Sequence, residues 1–146
     1  MILKKLILKN FKSHTDTVLD FNKGITIIVG ENGVGKSSIL EGITYALFKK
    51  STLNQNDLIT LGKNNERKST MSVTLVFEEN GNEYKIVRTN SLSSSTSTLH
   101  KKINGKFKVM VVGNSEVNKE LNSIINMDND LFLNAIYIRQ GEIADL

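Results

Sequence analysis

Two spacings of apolar residues run along the chain, and each predicts a different element. Ile2 to Phe11 sets Leu6 and Leu8 among Lys4, Lys5 and Lys9 at alternate positions. Thr15 to Phe21 (TDTVLDF) repeats that pattern, and both stretches predict half-buried strands. After a turn at Asn22-Lys23-Gly24, the run Ile25 to Val29 is continuously apolar between Gly24 and Gly30, as a strand covered on both faces should be. From Lys36 to Phe48 the period changes: Ile39, Leu40, Ile43, Ala46 and Leu47 recur at helical spacing.

Lys49 to Lys68 is polar, Asn-rich and without period, which predicts a long loop with a helical turn near Asp57 to Leu61. Alternation returns in Met71 to Glu78 and Glu83 to Thr89, on either side of Glu79-Asn80-Gly81-Asn82. An Asn-Gly between two alternating runs predicts a tight hairpin. Ser91 to Ser97 is rich in Ser and Thr and reads as a loop or sheet edge. Leu99 to Ile103 and Lys106 to Val112, joined by Asn104-Gly105, predict a second hairpin. Ser115 to Ile125, with Val117, Leu121, Ile124 and Ile125 on one face, predicts a helix. A short helix over Asn129 to Ala135 and an extended Ile136-Tyr137-Ile138 complete the pattern. The fold class is α/β: strand, loop and helix first, antiparallel hairpins in the middle, all within one domain over residues 1–146.

Composition narrows this picture only slightly. The chain has 146 residues, enough for one core. It has no Cys, which excludes disulfides and thiolate metal sites and fits a cytosolic setting. No apolar block reaches the roughly 20 residues of a membrane span. The net charge of +4 is compatible with nucleic acid without demanding it.

The chemistry concentrates in Gly30-Glu31-Asn32-Gly33-Val34-Gly35-Lys36-Ser37, which fits G-x-x-x-x-G-K-[ST] without mismatch. Glycines let the backbone curl around a phosphate, with Asn32, Gly33, Val34 and Gly35 turning their amides inward. The helix that follows offers free N–H groups and its positive end. Lys36 reaches the β and γ phosphates as a point charge, Ser37 supplies a hydroxyl for Mg²⁺, and Ser38 is placed to bond a phosphate. The motif stands in the context it requires, with a buried strand before it and an amphipathic helix after it. An acidic residue ending a second apolar strand should complete such a site. The one lookalike, Val73-Thr74-Leu75-Val76-Phe77-Glu78-Glu79, alternates and runs into the Asn-Gly turn, so it reads as a hairpin arm. No LSGG-like signature occurs. The chain thus looks like one part of a composite site.

Three stretches, LILKNFKSH (Leu6 to His14), GENGVGKSS (Gly30 to Ser38) and FLNAIYIRQGEI (Phe132 to Ile143), occur in the order and near the spacing found in SMC-like ATPases. The last of them resembles the Rad-fifty family, the ATPase partner of the nuclease in the DNA double-strand-break repair complex. The resemblance covers essentially the whole chain. It implies a P-loop NTPase of ABC/SMC-like type: the N-terminal half of a split head, with a mixed core sheet plus antiparallel hairpins. In that family a coiled coil with a zinc hook interrupts the head, and the C-terminal half carries the signature motif, the acidic strand and the catalytic glutamate. All of these would lie outside this chain. The resemblance makes Gln140 the glutamine that contacts Mg²⁺ and the attacking water. It sets Lys12 and Ser13 beside the phosphates and base, with Lys12 standing where the family often has Arg. It also sets Gly62, Lys63 and Asn64 at the adenosine end. The implied ligands are ATP and Mg²⁺. The implied partners are the C-terminal half, a second head, the repair nuclease and double-stranded DNA, in a cytoplasmic, nucleoid-associated or nuclear location.

Lys101, Lys102, Lys106 and Lys108 flank the second hairpin, and Lys63, Arg67 and Lys68 lie in the long loop. Such clusters can track DNA phosphates without reading sequence, although a solvated surface explains lysine clusters more often than not. His14 and His100 stand apart from each other and imply no metal. Four other readings remain, one of them a non-enzymatic DNA-binding module, which would leave the phosphate loop unexplained. A RecF-like or chromosome-condensing SMC head shares the first two stretches. A small P-loop phosphotransferase and a transporter ATPase would each need an acidic strand that is missing here.

Overall fold

The computed structural model describes residues 1–12, 14–21, 34–49, 59–60 and 70–125, with the backbone alone for 34–38. Among the described residues, six antiparallel strands form one sheet in the order β2-β1-β3-β4-β5-β6. These are β1 (Ile2–Phe11), β2 (His14–Asp20), β3 (Thr70–Glu79), β4 (Asn82–Ser91), β5 (Ser95–Ile103) and β6 (Lys106–Val112). Helices α1 (Val34–Phe48) and α2 (Asn114–Ile125) pack on the sheet. The predicted strand at Ile25 to Val29, and everything after Ile125, lie outside the described residues.

Both Asn-Gly predictions hold for a backbone reason. Asn80 and Gly81 have φ of 52° and 80°, and Asn104 and Gly105 have 53° and 81°. Two consecutive left-handed residues make the turn whose twist matches paired strands, and Asn followed by Gly tolerates it best. The turns set the register, with Glu79 opposite Asn82 and Ile103 opposite Lys106. Strict alternation then puts Met71, Val73, Leu75 and Phe77 of β3 into the core, beside Tyr84 and Ile86 of β4.

The Ser/Thr-rich stretch divides in two. Ser91 to Ser94 is a turn, closed by Ser91 N–H donating to the Ser94 carbonyl at 2.7 Å. Ser95 to Ser97 opens β5 and pairs with β4 alone, and the ladder to β6 begins at Thr98, so the stretch is a turn followed by a one-sided strand end. Its inward serines are kept there by polar partners rather than by apolar packing, which is why periodicity missed them. Residues 59 and 60 also depart from expectation. In place of a helical turn, Ile59 makes an antiparallel bridge to Phe11.

Helix α1 lies across β1, β3 and β4 and is buried on more than one face. Ile39, Leu40, Ile43, Ala46 and Leu47 are inside as the spacing predicts, and so are Thr44 and Tyr45. The crossing is close at Gly42, where a Cβ would stand 2.8 Å from Leu8 Cδ2 and 3.8 Å from Leu6 Cδ2. Leu8 is fully buried and has nowhere to retreat. Gly42→Val should therefore lower stability by about 2 kcal/mol through overpacking, seen as a lower urea midpoint at unchanged slope.

Candidate nucleotide site

Helix α1 begins within the glycine-rich loop, so Val34, Gly35, Lys36 and Ser37 form its first turn. The first amides of a helix have no partner inside it and carry its positive end. No acidic residue lies in that turn to compete for them. The backbone from Val34 to Ser38 thus fits a phosphate group by chemistry and placement. Asn32, Gly33, Ser13, Gly62, Lys63, Asn64 and Gln140 lie outside the described residues.

Of the predicted site residues outside the loop, Lys12 is described. It turns β1 into β2 with φ 51°, and its ammonium pairs with the carboxylate of Glu41. Glu41 is five residues beyond Lys36 on helix α1, an axial rise of about 7.5 Å. Residues 59 and 60 close in from the other side. The Thr60 N–H donates to the Asn10 carbonyl at 2.8 Å, and its hydroxyl donates to the Lys12 carbonyl at 2.9 Å. Thr60 is two residues ahead of Gly62, a reach of at most about 7 Å. The structure therefore brings together Lys12, Glu41 of helix α1 and Thr60.

The acidic end of β3 is elsewhere. Glu79 pairs with the N-terminal amine at 3.1 Å, and Glu78 lies opposite Glu83 across the hairpin. β3 alternates buried and part-exposed positions up to that end, as an amphipathic hairpin arm does. Among the described residues, no three of His, Cys, Asp and Glu gather as a metal site. His14 Nδ1 meets the Thr17 hydroxyl at 3.0 Å, and His100 Nδ1 faces the Lys85 carbonyl at 3.3 Å. On the second hairpin, Lys102 pairs with Glu83 at 2.8 Å, and it lies with Lys85 over the Phe107 ring. Lys106 and Lys108 are on the exposed strand β6, with Lys101 opposite Lys108. Lys63, Arg67 and Lys68 are outside the described residues.

Periodicity alone missed Arg88. It occupies an inward position of β4, in phase with Tyr84 and Ile86, and is 0% exposed. Its Nε donates to the Ala46 carbonyl at 2.7 Å, one Nη to Ser97 Oγ at 2.9 Å and the other to Asn118 Oδ1 at 2.8 Å. Ser97 in turn donates to Asn114 Oδ1 at 2.6 Å, while Asn114 and the Lys49 ammonium both reach Ser95. One connected network thus joins the C-terminal end of α1, two strands and the start of α2. Burial pushes the Arg88 pKa down to about 10, against the pull of Tyr45. Burial, with Arg88 adding a like charge, lowers that of Lys49. Burial raises the Tyr45 phenol. The readable signal was an arginine at the inward parity of an otherwise apolar strand.

Comparison with known proteins fits this geometry. The AAA domain family model matches residues 5–146. The DNA double-strand break repair Rad50 ATPase of Methanocaldococcus jannaschii is 46% identical over 145 residues, which are 99% of this chain and 14% of that relative. The protein of the same description from Methanococcus maripaludis is 40% identical over 148 residues, 100% of this chain and 14% of the relative. The solved SMC head domain from Thermotoga maritima matches with a TM-score of 0.50 and 32% identity, over 74% of this chain and 39% of that one. The chain thus spans about a seventh of the length of the two Rad50 relatives. An α/β P-loop ATPase lobe of SMC-head type accounts for the sheet, the helix and the loop together. The chain belongs to the AAA domain family, and the proteins it is similar to are Rad50 ATPases and an SMC head.

Proposed function

We propose that this chain is the nucleotide-binding, N-terminal lobe of an SMC-like ATPase that serves DNA double-strand-break repair. The observation that carries the reading is a complete phosphate loop feeding helix α1 in a chain similar to Rad50 ATPases along nearly all its length. The residues holding ATP are Asn32 to Ser38, with Lys12 and Ser13 beside the phosphates and Gly62, Lys63 and Asn64 toward the adenosine. Lys36 draws charge from the β and γ phosphates as it develops. A Mg²⁺ ion, when bound, neutralises charge between those oxygens, and the Ser37 hydroxyl and Gln140 amide are the groups here that suit it. Gln140, being neutral, accepts from and orients a water without adding charge.

The acidic strand, the catalytic glutamate and the signature motif come, in this reading, from the C-terminal half and from a second head. Two heads close face to face around ATP, so binding energy becomes a conformational switch. Opening and closing then regulates double-stranded DNA binding and access for a partner nuclease. Lysines of the β5–β6 hairpin suit phosphate contact of a kind that ignores sequence. The SMC head neighbour supports the wider reading, a head lobe of another SMC branch. A long heptad region with a C-x-x-C apex beyond this lobe would decide for the repair branch.

The test is Mg-ATP turnover by this chain alone, against Lys36→Ala. The expected result is no turnover above that control, and turnover restored on adding a C-terminal head fragment. Brisk turnover by the isolated chain would put the catalytic carboxylate within it and make a complete small P-loop enzyme the better reading.

A further inference from the structure

The polar network around Arg88 holds more donors than acceptors. Lys49 stands one residue beyond helix α1, and its ammonium donates to Ser95 Oγ at 3.0 Å. The Asn114 amide donates to the same oxygen at 3.2 Å. A hydroxyl has two lone pairs and one proton, so Ser95 accepts twice and its proton is left to donate. An ammonium has three N–H groups, and among the described residues Lys49 spends one of them, on Ser95. Asn90 adds to the surplus: it is 4% exposed, and its Nδ2 has no partner. It lies directly opposite Ser95 on the β4–β5 ladder, where side chains on one face have Cβ atoms about 5 Å apart. Both are on the helix-covered face, Asn90 in phase with Arg88 and Ser95 in phase with Ser97. Tyr45, about one helical turn before Lys49, is buried and its hydroxyl is unpartnered as well.

The charge is as unbalanced as the hydrogen bonding. Lys49 and Arg88 bring two cations to this network, and the acceptors that meet them are a backbone carbonyl, two hydroxyls and a side-chain amide, all neutral. Among the described residues no carboxylate pairs with either cation; the ion pairs lie at Glu41, Glu79 and Glu83. Glu116, in the first turn of α2, is exposed, and its carboxylate lies against Gly113. The C-terminal end of α1 offers about half a negative charge, less than two cations call for. Burial, and then the charge of Arg88, hold the Lys49 pKa below its ordinary value, as befits a cation short of a counterion.

We infer that Lys49, Asn90 and Ser95 form a binding site for one small monovalent anion, of the chloride class, at the C-terminal end of helix α1. The unspent donors come from a helix end and from two adjacent strands, and a negative ion among them accepts from all three. Lys49 and Ser95 are half-buried, so the ion enters from solvent, while Asn90 and Arg88 stand on the interior side. Side chains this closely spaced suit a single-atom ion rather than a branched oxyanion. The site does not depend on the nucleotide reading. Lys49 is at the far end of α1 from Lys36, an axial distance of about 20 Å.

The experiment records urea unfolding of the chain by circular dichroism while chloride replaces gluconate at constant ionic strength, with the chloride NMR line width as the direct measure of binding. The native midpoint should rise with chloride and level off, as for a ligand that binds the folded state alone. Lys49→Met and Asn90→Leu should each weaken chloride affinity about tenfold, the worth of a hydrogen bond to a charged group. In gluconate both variants should be at least as stable as the native chain. One removes a cation beside Arg88, and the other replaces an unpartnered buried amide by an apolar group. A lost chloride response in these variants is then a lost site and not a lost fold. Lys36→Ala should keep the native chloride affinity. A native chain with no saturable rise and no line broadening overturns the inference, because water then serves these donors. So does native chloride affinity in Lys49→Met or in Asn90→Leu. A chloride response lost in Lys36→Ala puts the ion at the phosphate loop and overturns it as well.

Discussion

Lys36→Ala should abolish the proposed ATP-driven association of assembled heads and take turnover with it. The glycine-rich backbone and the first amides of helix α1 survive the change, since Lys36 lies in the first helical turn and Ala suits a helix at least as well. What goes is the one flexible cation that reaches the β and γ phosphates from within the loop. A preorganised charge aimed at developing phosphate charge is worth on the order of 100-fold or more in rate. In the proposed mechanism head closure depends on the same γ-phosphate, so both readouts should fall together. Sedimentation of heads with and without Mg-ATP measures the first, and phosphate release the second. Heads of the variant that still associate, and still need ATP to do so, would sink the proposed mechanism. Unchanged urea stability is part of the expectation, because the substitution touches the loop and not the core.

Local rules reached most of the described fold. Both hairpins were legible because Asn-Gly dictates a backbone shape that only paired strands use well. Helix α1 was legible from its apolar spacing, and α2 from Val117, Leu121 and Ile125, all buried. Legibility failed where polar residues point inward. Ser95 and Ser97 sit at the start of β5 because Lys49, Asn114 and Arg88 bond them, and no single-chain period encodes such partners, the farthest of them 46 residues away. The bridge from Ile59 to Phe11 failed for the same reason: two residues pinned by distant carbonyls have no pattern of their own. In the candidate site, the phosphate loop was legible as a motif because its geometry is local. Lys12 came only with the family resemblance, and Thr60 was visible in nothing but the fold.

Arg88→Met should cost about 3 kcal/mol of folding stability, a large fraction of the 5–15 typical of a domain. The estimate follows from what the side chain leaves behind. Methionine fills much of the same volume and removes a buried charge, which on its own can be neutral or stabilising. The partners, however, remain: the Ala46 carbonyl, Ser97 Oγ and Asn118 Oδ1 each lose a donor in a place water hardly enters. Each such loss costs roughly 1–3 kcal/mol, and those costs are not independent. Arg88→Lys should be intermediate, because one ammonium cannot span three partners arranged around a planar fork. Ser97→Ala added to Arg88→Met should cost less than the two changes summed, since they share a bond. The pH dependence has a defined sign. Burial holds the Arg88 pKa at about 10 in the fold, well below its ordinary value. The folded state therefore binds its proton less tightly than the unfolded chain, and this group's cost is fully present below about pH 10 and relaxes only above it. Between pH 5 and 9 the gap between native and Arg88→Met urea stabilities should stay constant. A gap under 1 kcal/mol, or one that changes across that range, would mean that the Arg88 network does not hold helix α1 to α2.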